Sequence, residues 1–168
     1  MTSRLGPTAE LATLTAALTS IAFNDEAADR ATEASHGYPF LIQLIGYLAW
    51  NAAAQAGETT VSSTTVDAVL GEAITTMGTQ VHDPAVRALS QRQLEYLHAL
   101  ADIADEAGTA ASGAIAHELK TTTTSLSEVR ARLLEQGLID APRHGTVALA
   151  LPYLRDYLHA GGVQTYVD

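Results

Sequence analysis

Apolar positions recur every three or four residues from the start of the chain to about residue 136, the period of amphipathic helices, and the clear strand signal lies after Gly137. Leu11, Leu14, Leu18 and Ile21 mark one face of a first helix that begins after Pro7 and Thr8. Asn24 can cap a second helix, acidic on its polar face through Asp25, Glu26 and Asp29, and His36-Gly37 offers a left-handed stop after Ser35. Pro39 suits the start of a third, where its missing N–H is unsatisfied anyway, and that helix runs to about Gln55. After Gly57, Ser62 or Ser63 opens a fourth, carrying Val66, Val69, Leu70, Ile74, Met77 and Val81. His82-Asp83-Pro84 predicts a break, because the residue before proline is pushed out of the helical region. The domain boundary is placed there, giving residues 1–83 and 84–168.

In the second half, Leu94, Leu97, Leu100, Ala101 and Ala104 define an amphipathic helix, followed by a linker centred on Gly108. Ser112-Gly113 leads into a short helix from Ala114 to Leu119, and Lys120 to Thr124 reads as a polar turn. Ser125-Leu126-Ser127-Glu128 has the form of a capping box, and the helix it opens holds Val129, Leu133 and Leu134 before Gly137 ends it. Leu138 to Ala141, the turn Pro142 to Gly145, and Thr146 to Leu151 then read as a β-hairpin, with a last helix from Pro152 to about Ala160. Helix, helix, polar turn, helix, hairpin, helix is the order of a winged helix-turn-helix. The expected fold is therefore mainly α: a helical lid-like bundle over 1–83, then a winged helix-turn-helix with a small β-hairpin over 84–168.

Composition narrows the chemistry. The 168 residues contain no cysteine, which removes disulfides, thiolate zinc sites and thiol catalysis and makes the cytoplasm the default compartment. The single lysine, Lys120, follows no glycine-rich loop, so no self-contained P-loop exists, and the G-x-S-x-G, H-E-x-x-H and G-x-G-x-x-G signatures are absent. A non-enzymatic chain without cofactor or metal is the expectation. Glu95, His98 and Asp102 share a helix face, but no second ligand cluster joins them, and they read as solvated polar surface. No charged residue occurs between Glu33 and Glu58, yet His36, Pro39, Gln43, Asn51 and Gln55 interrupt that stretch, which suits a buried helix and no membrane partner. Phe40, Tyr47 and Trp50, at spacings of seven and three, are expected to be mainly buried.

The run Ala34-Ser35-His36-Gly37-Tyr38-Pro39-Phe40-Leu41-Ile42-Gln43-Leu44-Ile45-Gly46 resembles a "GYPF.IQL.G" signature in the helical lid of bacterial AAA and STAND-type ATPases, relatives of the archaeal-ATPase and Orc/Cdc6 group. Leu89-Ser90, the run from Val129 to Ile139, and Leu151-Pro152-Tyr153-Leu154-Arg155-Asp156-Tyr157-Leu158 resemble the winged helix those proteins carry next. The resemblance covers the C-terminal part of that family, from about Asn24 onward, and implies a lid motif at Gly37, Tyr38, Pro39 and Gln43. In the family a P-loop core N-terminal to the lid binds ATP, and many lids add an arginine. Here the segment from Ser35 to Gly57 holds no basic residue except His36. The chain is then either an excised piece of a larger ATPase or a gene that has lost its motor.

The functional expectation centres on the third helix of the winged helix. Thr121, Thr122, Thr123, Thr124, Ser125 and Ser127 supply hydroxyls for phosphates, Arg130 can reach a guanine edge, Arg132 is partly outward, and Arg143 and His144 stand at the hairpin tip. Charge tempers this: 19 acidic against 9 basic residues give a net −10, and Lys120, Arg130, Arg132 and Arg143 exceed Glu128, Glu135 and Asp140 by only one. Phosphate neutralisation dominates DNA affinity, so binding to double-stranded DNA is expected to be weak for this chain alone. The leading reading is a DNA-interacting, regulatory module; the rival is a protein-interaction or dimerisation module that uses the same fold. An ATPase core or a second copy are the further expected partners. The purified chain is expected neither to bind nor to hydrolyse ATP, and saturable micromolar binding in a calorimeter would overturn that expectation.

Overall fold

The structure, a computed structural model, describes residues 20–161. Most of the expected first helix therefore lies outside the described residues; Ala22 and Phe23, just after it, form a strand. The protein is mainly helical with short strands, and divides into two compact units between Ala73 and Ile74.

The first unit runs β1 (Ala22–Phe23), α1 (Asp25–Ser35), α2 (Pro39–Ala56), β2 (Thr60–Val61) and most of α3 (Ser63–Met77). Asn24 caps α1, its Oδ1 accepting the Ala27 N–H at 2.8 Å. His36 (φ 49°) and Gly37 (φ 73°) make the left-handed stop. β1 and β2 pair in parallel, Ala22 opposite Thr60 and Phe23 opposite Val61, and α1 with α2 forms the long crossover that parallel pairing requires. Ala27, Ala31 and Ala34 of α1 and Leu41, Ile45, Ala49 and Ala53 of α2 are buried, at helical spacings that put apolar side chains along one stripe of each helix. That stripe corrects the expectation for the aromatic residues. Tyr47 lies about 200° around the axis from Ile45 and is 65 % exposed, while Phe40 and Trp50 are half-buried.

The second unit opens on a correction too. The expected break at His82-Asp83-Pro84 does not occur: a π turn (Gly78–His82) continues directly into α4 (Asp83–Arg87). The Asp83 N–H reaches back five residues to the Gly78 carbonyl, and Asp83 stays helical at φ −58°, ψ −54°. The widened turn admits a proline in the first turn of α4, where a missing N–H is tolerated. His82 is buried, with Nε2 2.9 Å from the Pro152 carbonyl and its ring 5.2 Å from that of Tyr157, whose hydroxyl donates to Asp83 at 3.3 Å.

α5 (Gln91–Ile103) starts with a capping box: Ser90 Oγ accepts the Gln93 N–H and Gln93 Oε1 accepts the Ser90 N–H. At its other end the Arg155 guanidinium donates to the carbonyls of Ala104 and Asp105. Where a linker was expected, Asp105 accepts from the Thr109 N–H and hydroxyl at 2.8 and 2.9 Å, bonds that hold its carboxyl below the usual range, and the chain enters β3 (Thr109–Ala111). α6 (Ser112–Glu118), α7 (Ser127–Glu135), β4 (Ile139–Asp140), β5 (Thr146–Leu149) and α8 (Leu154–His159) follow. Tyr153, at φ 59°, delays the last helix by two residues from the Pro152 expected. The sheet is antiparallel in the order β3-β5-β4, with Ala110 opposite Val147 and Ile139 opposite Leu149. Tyr96, Leu97 and Leu100 of α5, Ile115 of α6, Leu133 of α7, Val147 of β5 and Leu154 of α8 form one core beneath it.

Burial lowers the pKa of His82 below its ordinary value, a trend its bond to Pro152 only partly opposes. The unfolded chain therefore takes up a proton that the folded one refuses. His82 contributes stability that is full above about pH 6.5 and is lost as pH falls from there toward its depressed folded value. Denaturant midpoints measured between pH 7.5 and 5 are expected to fall for the natural chain more than for His82→Gln, which keeps an N–H for Pro152; parallel slopes would refute this.

Candidate functional site

The residues singled out for DNA contact separate into three places: the turn before α7, a groove beside it, and a smaller hollow that Arg132 faces. The exposed turn before α7 is closed by Thr122, whose Oγ1 lies 2.9 Å from Ser125 Oγ and accepts the Ser125 N–H at 3.2 Å. The capping box expected over Ser125-Leu126-Ser127-Glu128 is not formed. Leu126 is the N-cap and caps with no side chain, Ser127 Oγ turns back to the Thr124 carbonyl at 2.7 Å, and Glu128 pairs instead with Arg132 at 2.6 Å. The reason is that the preceding residues already form a hydrogen-bonded turn, with Leu126 and Ser127 donating to the carbonyls of Thr123 and Thr124. Leu126 itself is drawn into the core.

Between α7 and the turn joining β4 to β5 lies an open groove of about 380 Å³. Thr123, Ser127 and Arg130 contribute one wall, Arg143, His144 and Gly145 the other. The hairpin wall is fixed by the Thr146 N–H and hydroxyl, which both donate to the Arg143 carbonyl, and by Gly145, whose φ of 77° gives the turn its left-handed corner. Ser112, at the start of α6, also lines the groove; its N–H donates to the Gly145 carbonyl at 2.8 Å. Ser112 and Gly145 were not among the sequence candidates. Their meeting follows from the pairing of β3 with β5, Ala111 opposite Thr146, and no local pattern announces it.

Arg130 is half-buried, against the expectation that it points outward. Its Nε is enclosed with no hydrogen-bond partner, as is the hydroxyl of Tyr96. Burial raises the pKa of that phenol, and the charge of Arg130 works in the opposite direction. Neither Arg130 nor Arg143 forms an ion pair among the described residues, and no carboxylate lines the groove. In a chain of net charge −10 this is a local excess of positive charge.

The other candidates fall elsewhere. Arg132 faces a smaller hollow with Ser90, Arg92 and Glu128, on a different side of α7, and its charge is matched by Glu128. Thr122, Thr124 and Ser125 are exposed but do not line the groove. Of the lid motif, Gly37 supplies the left-handed corner, Tyr38 and Pro39 start α2, and Gln43 is exposed. Asp102 lies 3.0 Å from His159, and among the described residues no three acidic or histidine side chains gather as metal ligands. No described helix is long and apolar enough to cross a membrane.

Residues 79–158 match a family described as a domain of unknown function (DUF8462). The match takes in all but the first residue of the π turn, the whole three-stranded sheet and every residue of the groove. The chain matches no curated protein sequence. Because Thr122 accepts the Ser125 N–H and closes the turn before α7, as an N-cap side chain closes a helix start, Thr122→Ala is expected to lower stability by about 0.5–2 kcal/mol and Ser125→Ala by less. Urea unfolding of both variants checks the order; a larger loss for Ser125→Ala would restore the capping box.

Proposed function

We propose that the second unit works as a winged helix-turn-helix that contacts double-stranded DNA, weakly on its own, as the regulatory C-terminal module of an AAA/STAND-type ATPase in the cytoplasm. The observation that carries this reading is the groove, where two arginines without carboxylate partners face each other from α7 and the hairpin turn. The order α5, β3, α6, α7, β4, β5 supports it, because it puts a helix and a hairpin side by side as the two elements that would meet a duplex. The similarity of Gly37 to Gln43 and of the run from Val129 to Ile139 to the ATPase lid and winged helix supports the assignment to that class. Non-enzymatic action fits a site with cations and hydroxyls but no paired acid and base.

A second reading has its own observation. Tyr47 at 65 % and Phe23 at 37 % exposure leave apolar surface on the first unit, which suits an interaction module that binds an ATPase core or a second copy without reading DNA.

Titration of labelled duplex at low and physiological salt separates the two. Log K is expected to fall as log salt rises, and Arg130→Ala and Arg143→Ala are each expected to weaken binding and flatten that dependence. Absence of binding at low salt by the folded chain would remove the DNA reading and favour the interaction module.

A further inference from the structure

Resting on the DNA reading, we propose that the groove is a seat for one tetrahedral phosphate held between Arg130 and Arg143, and that Arg130 therefore serves the nucleic-acid backbone and not a base edge. A side chain that reads a base must extend beyond the helix surface into the major groove. Arg130 does the reverse. Its Nε is enclosed, so the guanidinium is held down at the groove with only its outer nitrogens left to face a ligand. A cation kept partly out of water without a counter-ion is poorly satisfied, and an entering anion supplies the missing partner. Arg143 stands on the opposite wall, its carbonyl fixed by two bonds from Thr146, so the turn that carries the second cation is formed before any ligand arrives.

The remaining groups fit the same ligand. Ser112 and Thr123 line the groove, and among the described residues their hydroxyls make no hydrogen bond, leaving two neutral donors for phosphate oxygens. Ser127 has spent its proton on the Thr124 carbonyl. The absence of any carboxylate from the lining disfavours a metal ion or a cationic peptide there. A planar base would need a flat donor and acceptor pattern, whereas two guanidinium groups and two hydroxyls converging from opposite walls suit an oxyanion.

The test uses the full chain. Inorganic phosphate, at constant ionic strength held by chloride, is titrated into isotope-labelled protein while backbone amide resonances are followed. Saturable shifts are expected at Ser112, Ser127 and Gly145 with millimolar affinity; both Arg130→Ala and the exposed Arg143→Ala should abolish them. Shifts that persist unchanged in Arg143→Ala, or no saturation in the natural chain, would overturn the seat. A second arm compares two duplexes of unrelated sequence: Arg130→Ala is expected to weaken both by the same factor, about three- to tenfold, and Arg130→Lys to recover part of it. A loss confined to one duplex would instead make Arg130 a base reader. Phosphate shifts without any duplex binding would uphold the seat, assign it to a free phosphate or phosphomonoester, and reject the DNA reading alone.

Discussion

The double-edged pairing of β5 is the constraint on which the second unit turns. Val147 is fully buried at the middle of that strand, and its neighbours bond on one side to β3 and on the other to β4. Because β3 runs directly into α6 and β4 follows α7 after the short turn through Gly137, two helices are located by the hydrogen bonds of a four-residue strand. The groove inherits this geometry. Ser112 begins where β3 stops, Arg143 sits where β4 has ended, and the bond from Ser112 to Gly145 ties them across the turn. Loss of Val147 would remove the apolar anchor and the register together, at a cost of order 1–3 kcal/mol for the side chain alone.

Electrostatics then gives the site its character. An acidic protein repels polyanions at long range, so a cationic patch on it acts only over about a Debye length, roughly 8–10 Å. Such a patch discriminates by contact and contributes little steering. Arg132 is neutralised by Glu128 and Arg87 by Asp83, each within one helix turn. Arg130 and Arg143 have no such partner among the described residues, and the groove that the two share is lined by no carboxylate.

What was legible in the sequence was local. Asn24, the His36-Gly37 pair, Pro39, Gly57 and Gly137 each announce a helix end through chemistry contained in a few residues, and each stands where that chemistry implies. The strands Ala22–Phe23, Thr60–Val61 and Thr109–Ala111 are two or three residues long and exist through distant partners, so no alternation could betray them. Pro84 misled because the rule about the residue before proline assumes an α turn, and the chain widened to a π turn. In the site, Thr123, Ser127, Arg130, Arg143 and His144 were named from residue type and do line one groove. Whether Arg130 pointed out or in depended on the packing that encloses its Nε, which only the folded core could decide.

The contacts of His82 with Pro152 and of Asp83 with Tyr157 join positions separated by 70 and 74 residues. They close the second unit from its first turn to its last helix. A ribosome extrudes the chain from the N-terminal side, so the π turn emerges long before the helix that covers it. His82 must stay hydrated, and protonatable in the ordinary range, until α8 has cleared the exit tunnel. A chain stalled before Tyr157 would therefore hold α5 against α6, α7 and the sheet but leave uncovered the part of α5 that α8 packs on.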